Sequence, residues 1–315
     1  MSSFWENKKV TVTGGAGFLG SWVVEELISR GAKKENILIP RRKYYDLRDR
    51  DVCRKVTKGK DVVIHCAVNG GGIGYNRVHP GSIFYDNIIM DTELMEASRI
   101  NGVKKFIGIN TICAYPKVTP IPFVEENLWQ GYPEETNGPY GLSKKMMLPQ
   151  AEGYLKEYGF IALNPLLENM YGPRDNFNDE SSHVIPALIK KFAAAKKEGE
   201  DDVVVWGTGK ATRGFLFVKD AARAVVLLSE KAEDSSPLNI GSGTEISIEA
   251  LVDIIASIME YRGKIVWDIS KPDGQPRRSV NSDKAKAIIG EFATTTFEQG
   301  LRESIVWYYD SLKNA

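Results

Sequence analysis

Gly14, Gly17 and Gly20 recur three residues apart between the β-branched run Val10 to Thr13 and SWVVEELISRGA, a segment whose apolar residues repeat at helical spacing. A strand, a glycine turn and a helix in immediate succession turn the weak pattern GxxGxxG into a dinucleotide-binding fingerprint. Glycine is needed there because the turn demands a positive φ and because backbone must approach a pyrophosphate seated at the helix N-terminus. The same unit sets the fold class. Strand segments at 37–39, 62–64 and 106–109 alternate with helical segments at 50–57 and 84–100. Such alternation predicts βαβ crossovers, hence a Rossmann-type, doubly wound parallel sheet in an α/β protein.

Beyond Tyr140 the spacing predicts a helix that Pro149 kinks or interrupts, then a return to the sheet at 160–163. The stretch 171–213 is rich in Asn, Asp, Gly and Pro, and a helix past Leu251 precedes KPDGQPRRS. The expected division is a cofactor-binding domain over 1–168, with return segments near 214–243, and a smaller α/β unit over 169–315 that is mainly substrate-binding. The two are expected to share a fixed cleft.

An NAD-specific site places an acid at the end of the second strand to bind the ribose 2′-hydroxyl; this chain has Pro40, Arg41 and Arg42. Arginine binds a 2′-phosphate bidentately, so NADP(H) is expected rather than NAD(H). Asp46 is expected to face the adenine ring. Phe18 and Leu19 in the turn, Leu47 beside Asp46, and Ala67 past the third strand complete the expected cofactor set.

Tyr140 and Lys144, four apart at the start of a helix, leave one face and meet one turn apart. A phenol with a pKa of ~10 is a poor acid or base near neutrality. An adjacent ammonium is expected to lower it, giving a group that exchanges a proton with a carbinol oxygen while the lysine holds the nicotinamide ribose. Thr111 and Cys113 follow the strand at 106–109, at the carboxyl edge where open α/β sheets bind ligands. A hydroxyl there can bind a reacting carbonyl, and a thiol can serve as a base.

Composition narrows the partners. The chain has 41 Lys+Arg against 41 Asp+Glu, a net charge of zero, and no long run of like charge. Nucleic-acid and membrane-surface binding are therefore not expected, and small molecules are. Three cysteines without CxxC spacing and three scattered histidines predict neither a metal site nor a disulfide framework. The first residues carry charge and lack an apolar run, so the expected location is the cytoplasm.

TGGAGFLG, YGLSK, NMYGPRDNF, SHVIPALIKKF, VVVWGTGKATRGFLFV, NIGSG and KPDGQPRR together resemble the extended short-chain dehydrogenase/reductase superfamily, and within it the GDP-L-fucose synthase family of 3,5-epimerase-4-reductases. The resemblance spans nearly the whole chain. It implies NADPH-dependent epimerisation at C3 and C5 of a GDP-4-keto-6-deoxy sugar, followed by reduction at C4. It assigns Cys113 and His183 to the epimerisations, Tyr140 and Thr111 to the C4 oxygen, and Lys144 to the support of Tyr140. It also implies substrate contacts from Asn169, His183, Lys191, Trp206, Arg213, Lys271, Asp273 and Arg277, and a homodimer packed through two long helices per subunit. This chain departs from the pattern in several places. Thr111-Ile112-Cys113 stands for Ser-Ser-Cys, and Lys191 for Arg. Gly214, Phe217 and Lys219 replace a Glu, a His and an Asp, and Glu168 precedes the substrate asparagine. Two other readings stay open: a nucleotide-sugar epimerase that returns the hydride with no net redox change, and a nucleotide-binding protein without catalysis.

Overall fold

The computed structural model describes residues 3–271 and 273–313. The chain opens on β1 (Val10–Thr13), α1 (Phe18–Ser29), β2 (Ile37–Leu38), α2 (Arg50–Thr57) and β3 (Val62–His65). There follow α3 (Ile73–Val78), α4 (Pro80–Ile100), β4 (Lys105–Gly108), β5 (Asn110–Thr111), α5 (Gly138–Lys145), α6 (Met147–Tyr158), β6 (Ile161–Leu163), β7 (Pro165–Leu167) and β8 (Asn169–Tyr171). The remainder comprises α7 (Val184–Glu198), β9 (Asp202–Trp206), β10 (Thr212–Phe217), α8 (Val218–Lys231), β11 (Leu238–Ile240) and β12 (Glu245–Ser247). It closes with α9 (Ile248–Ile258), β13 (Lys264–Asp268), β14 (Arg277–Arg278), α10 (Asp283–Ile289) and α11 (Phe297–Lys313).

The main sheet runs β2-β1-β3-β4-β6, parallel throughout. Apolar side chains cover both faces. Leu19, Val23 and Leu27 of α1 pack on one face with Val225 and Leu228 of α8 and Ile289 of α10. Cys53 and Val56 of α2 cover the other with Leu94 and Met95 of α4 and Ala151 of α6. The chain leaves β1 toward β2 and returns on the opposite side through β3, so the carboxyl ends of these strands flank a crevice at the reversal of strand order.

Single residues, Ile109 and Asn164, separate β4 from β5 and β6 from β7, after which β7 pairs with β5 on one side and β11 on the other. Asn110 uses the break. Its amide donates to the Lys144 carbonyl at 3.0 Å, tying the strand end to α5. The helix beyond Tyr140 is interrupted at Met146, just ahead of Pro149. That spacing places the proline at the third position of α6, where a missing N–H breaks no intrahelical bond. A further sheet is built on β10, which pairs with β8, β12 and β14, and lies with the separate β9–β13 pair around a second apolar core. That core includes Ile189 and Phe192 of α7, Leu251 and Ile255 of α9, and Leu301 and Ile305 of α11.

The glycine turn is held by close packing. Gly14 has φ +66, and a Cβ there would fall 2.8 Å from the Cys66 carbonyl carbon and the Ala67 nitrogen. A Cβ on Gly20 would overlap the Gly14 carbonyl oxygen. Gly20→Ala should therefore lower stability by about 1–3 kcal/mol, the usual range for overpacking, in denaturant titration, and weaken NADPH binding in parallel.

Candidate active site

One cleft of about 2230 Å³ runs from the glycine turn across the carboxyl ends of β1, β3, β5 and β8 to α7, β9, β10 and β14. A pocket for one drug-sized ligand is roughly 300–1,000 Å³, so this volume suits two ligands at once. Its walls include Gly14, Gly17, Phe18, Leu19, Gly20, Arg41, Arg42, Asp46, Leu47 and Ala67 at one end and Thr111, Cys113, Tyr140 and Lys144 in the middle. Asn169, His183, Lys191, Trp206, Arg213, Lys271, Asp273 and Arg277 line the far end. The structure thus brings every sequence-predicted site residue to a single cavity.

At the first end, Gly17 caps α1 without any side-chain cap, and the first turn holds no acid. The first-turn N–H groups, which have no intrahelical acceptor, thus face a space suited to an anion. Arg41 and Arg42 are exposed past β2 and form no ion pair among the described residues. Asp46 is committed elsewhere: Arg48 grips both its oxygens at 3.0 and 2.6 Å and also reaches Asp86 at 3.1 Å. That guanidinium holds the Asp46 carboxyl down to about 2.

In the middle, Tyr140 and Lys144 occupy α5 as expected, but their electrostatics differ from the sequence expectation. Lys144 is only 2% exposed, and its ammonium pairs with Asp91 of α4 at 3.0 Å. The Tyr140 pKa is raised, first by burial and then by the charges of Cys113 and Asp91, with a hydrogen bond to Thr111 pulling the other way. Burial and these two charges favour the protonated phenol, and the lysine charge is met by Asp91. Sequence spacing places the lysine but does not show its counter-ion.

The Thr111 hydroxyl accepts the Cys113 N–H at 3.2 Å, fixing the turn that presents the thiol. Arg278 Nη1 stands 3.7 Å from Cys113 Sγ. Sequence reasoning did not single out Arg278, and its signal is the register: it lies opposite Arg213 in the parallel β10–β14 pair, so both side chains share a face. His183 caps α7 at the cleft wall. Its ring is reached by solvent within the cleft, yet the surrounding walls withhold enough water to push its pKa below the ordinary value, so the neutral imidazole is favoured near pH 7.

At the far end Trp206 is 65% exposed, with the Lys191 and Lys271 ammonium groups 5.4 and 5.7 Å from its ring centroid. Lys191 also donates to the Val204 carbonyl at 3.0 Å. Arg213 is pushed down to about 10 by burial and then by the neighbouring Arg278, and neither guanidinium forms an ion pair among the described residues. Two like charges held together and partly withdrawn from water call for an anion. Arg277, on the opposite face of β14, is gripped by Glu245 at 2.9 and 2.7 Å. Asp273 accepts the Thr208 N–H and hydroxyl at 2.6 and 2.7 Å, and so anchors the loop after Trp206. The Asn169 amide donates to the Gly214 carbonyl at 3.1 Å.

The departures at 168 and 214 are one event in space. The Glu168 carboxylate occupies the position a Cβ on Gly214 would take, and its Oε2 accepts the Ser242 N–H at 3.1 Å. A carboxyl group is therefore present beside β10, delivered from the link between β7 and β8.

The chain matches the NAD dependent epimerase/dehydratase family over residues 10–241 and belongs to that family. It is 35% identical to GDP-L-fucose synthase 1 of Arabidopsis thaliana over 98% of this chain and 95% of that protein, which places it with the GDP-L-fucose synthases within the family. Among solved structures it resembles a GDP-L-fucose synthetase from Naegleria fowleri bound to NADP, with 28% identity, a TM-score of 0.89, and coverage of 99% of this chain and 97% of that one. It also resembles a GDP-6-OMe-4-keto-L-xylo-heptose reductase from C. jejuni, with 25% identity, a TM-score of 0.91, and coverage of 98% and 99%.

Burial of Glu168 pushes its pKa up to about 7 from 4.5. A carboxyl raised on folding contributes its full stability below the unfolded pKa and loses it as pH rises through the folded one. Relative to Glu168→Gln, the wild type should lose up to roughly 3 kcal/mol between these values, read as a pH-dependent gap in melting temperature that closes in acid.

Proposed function

We propose that this protein epimerises a GDP-4-keto-6-deoxy sugar at C3 and C5 and reduces it at C4 with NADPH, giving GDP-L-fucose or a close relative. The observation that carries this reading is a single cleft lined by Tyr140, Lys144, Thr111, Cys113 and His183, with an anion-ready turn at one end and paired guanidiniums at the other.

The residues fit NADP(H). Gly14 to Gly20 and the α1 N-terminus would hold the pyrophosphate, and Arg41 and Arg42 the 2′-phosphate. When bound, the dinucleotide supplies the hydride taken up by C4. The chain's own residues handle the protons. The C4 ketone acidifies the hydrogens at C3 and C5. Cys113 and His183 stand on opposite elements of the cleft and serve as base and acid, one removing each proton and the other returning it on the opposite face. The still-protonated Tyr140 donates to the C4 oxygen as hydride arrives, and Thr111 orients that oxygen. Arg213 and Arg278 bind the diphosphate, and Trp206 offers a face for the base.

The reading extends to a homodimer packed through α4 and the helix after Tyr140, supported by Phe84 and Tyr85, which are 38% and 59% exposed on α4. A cytoplasmic location is supported by three free thiols, Cys53, Cys66 and Cys113. Sedimentation at micromolar concentration should give twice the chain mass, and a Phe84→Glu, Tyr85→Lys double variant should give monomer.

With the GDP-4-keto-6-deoxy sugar, NADPH oxidation should match product formation mole for mole. No oxidation with any of several 4-keto nucleotide sugars, 4-keto heptoses included, would overturn the reductase reading, while epimers formed without added NADPH would favour the redox-neutral epimerase. Cys113→Ser and His183→Ala should each slow epimerisation by roughly 10²–10⁴-fold with NADPH affinity nearly unchanged.

A further inference from the structure

Beneath the catalytic helix lies a continuous buried chain that the mechanism above does not use. The Ala67 N–H donates to Thr13 Oγ1 at 3.3 Å, and Thr13 Oγ1 lies 2.6 Å from His65 Nδ1. His65 Nε2 lies 2.8 Å from Asp91 Oδ1, and the Lys144 ammonium lies 3.0 Å from each Asp91 oxygen, hydrogen-bonded to Oδ1. His65, Asp91 and Lys144 are all essentially inaccessible to water.

With a neutral imidazole the donors and acceptors admit one consistent assignment. Asp91 as a carboxylate only accepts, so His65 Nε2 carries the proton and donates to it. Nδ1 then accepts from the Thr13 hydroxyl, whose oxygen accepts from Ala67. Burial lowers the His65 pKa, which agrees with a neutral ring in this role. The chain starts at the residue immediately before the glycine turn and ends on the catalytic lysine.

We propose that Asp91, braced by His65 and Thr13, is a positioning residue for the C4 reduction: it holds the Lys144 ammonium against α4 and so keeps Tyr140 a proton donor. This inference rests on the reductase reading above. The charged and titratable groups acting on Tyr140 are Cys113 from the turn after β5 and Asp91 from α4, with Thr111 as a neutral hydrogen-bond partner; Lys144, four residues further along the same helix, is engaged by Asp91. Lys144 is faced by Asp91, by His65 and by Cys66, whose thiol burial pushes up to about 12 and keeps neutral. Asp91 is thus the sole anion compensating Lys144 among the described residues. Its negative charge favours the protonated phenol directly, and by engaging Lys144 it also cancels the cation that would favour phenolate.

The test is the pH profile of NADPH-dependent reduction in the intact protein. Asp91→Asn should move the alkaline limb of kcat/KM down by about one pH unit or more, the shift a nearby charge produces. His65→Asn should move it the same way by less, because Asp91 keeps its charge but loses its brace. A folded Asp91→Asn protein, with wild-type melting temperature and an unmoved alkaline limb, would overturn the inference. Should Asp91→Asn not fold, an unmoved limb in His65→Asn overturns it instead. A substrate-free arm separates this inference from the reductase reading: the Tyr140 ionisation, taken as the near-ultraviolet tyrosinate difference between each protein and its Tyr140→Phe counterpart, should come at lower pH in Asp91→Asn. Failure of the wild type to oxidise NADPH would count against the reductase reading. An unshifted tyrosinate step would count against the role of Asp91.

Discussion

A parallel sheet covered by helices on both faces has one place to put polar chemistry, the carboxyl ends of its strands. Strand interiors here are apolar because helices lie on either side, and a buried polar group without a partner costs on the order of 1–3 kcal/mol. The polar residues therefore gather where strands stop or start: Thr13 closing β1, His65 closing β3, Asn110 and Thr111 in β5, Glu168 between β7 and β8, and Asn169 opening β8. The interruption at Ile109 belongs to the same constraint. It frees Asn110 to hold α5 by the Lys144 carbonyl, so the helix bearing the catalytic pair is fastened to the strand end that supplies Thr111.

Legibility in the sequence followed the range of the interactions. The glycine turn was readable because strand, turn and helix are contiguous, and its outcome matches Gly14 and Gly20 packed against neighbouring backbone. Tyr140 and Lys144 were readable because four residues make one helical turn. Asp91 was not, since its partners lie 26 and 53 residues away and a polar residue in an apolar helix reads as solvent-facing. Burial, which four-residue spacing does not report either, together with the charges of Cys113 and Asp91 pushes the Tyr140 pKa up where the spacing led one to expect a lowering. Asp46, Asp273 and Arg277 line the cleft, but their side chains have committed partners in Arg48, Thr208 and Glu245, which no local pattern reveals.

Net charge conceals how the cations are distributed. Zero overall charge coexists with a cleft that collects Arg41 and Arg42 at one end and Arg213 and Arg278 at the other, none of them in an ion pair among the described residues. Lys191 and Lys271 flank Trp206 between the guanidiniums and the mouth. Local charge of one sign in a low-dielectric cleft attracts anionic ligands without making the protein generally sticky.

The interlock of Glu168 and Gly214 has a consequence for descent. A side chain on residue 214 and a carboxylate on residue 168 compete for the same volume, so neither position can change alone without a clash or an empty, unanchored turn at Ser242. The two positions are therefore coupled, and a substitution at one calls for a matching substitution at the other.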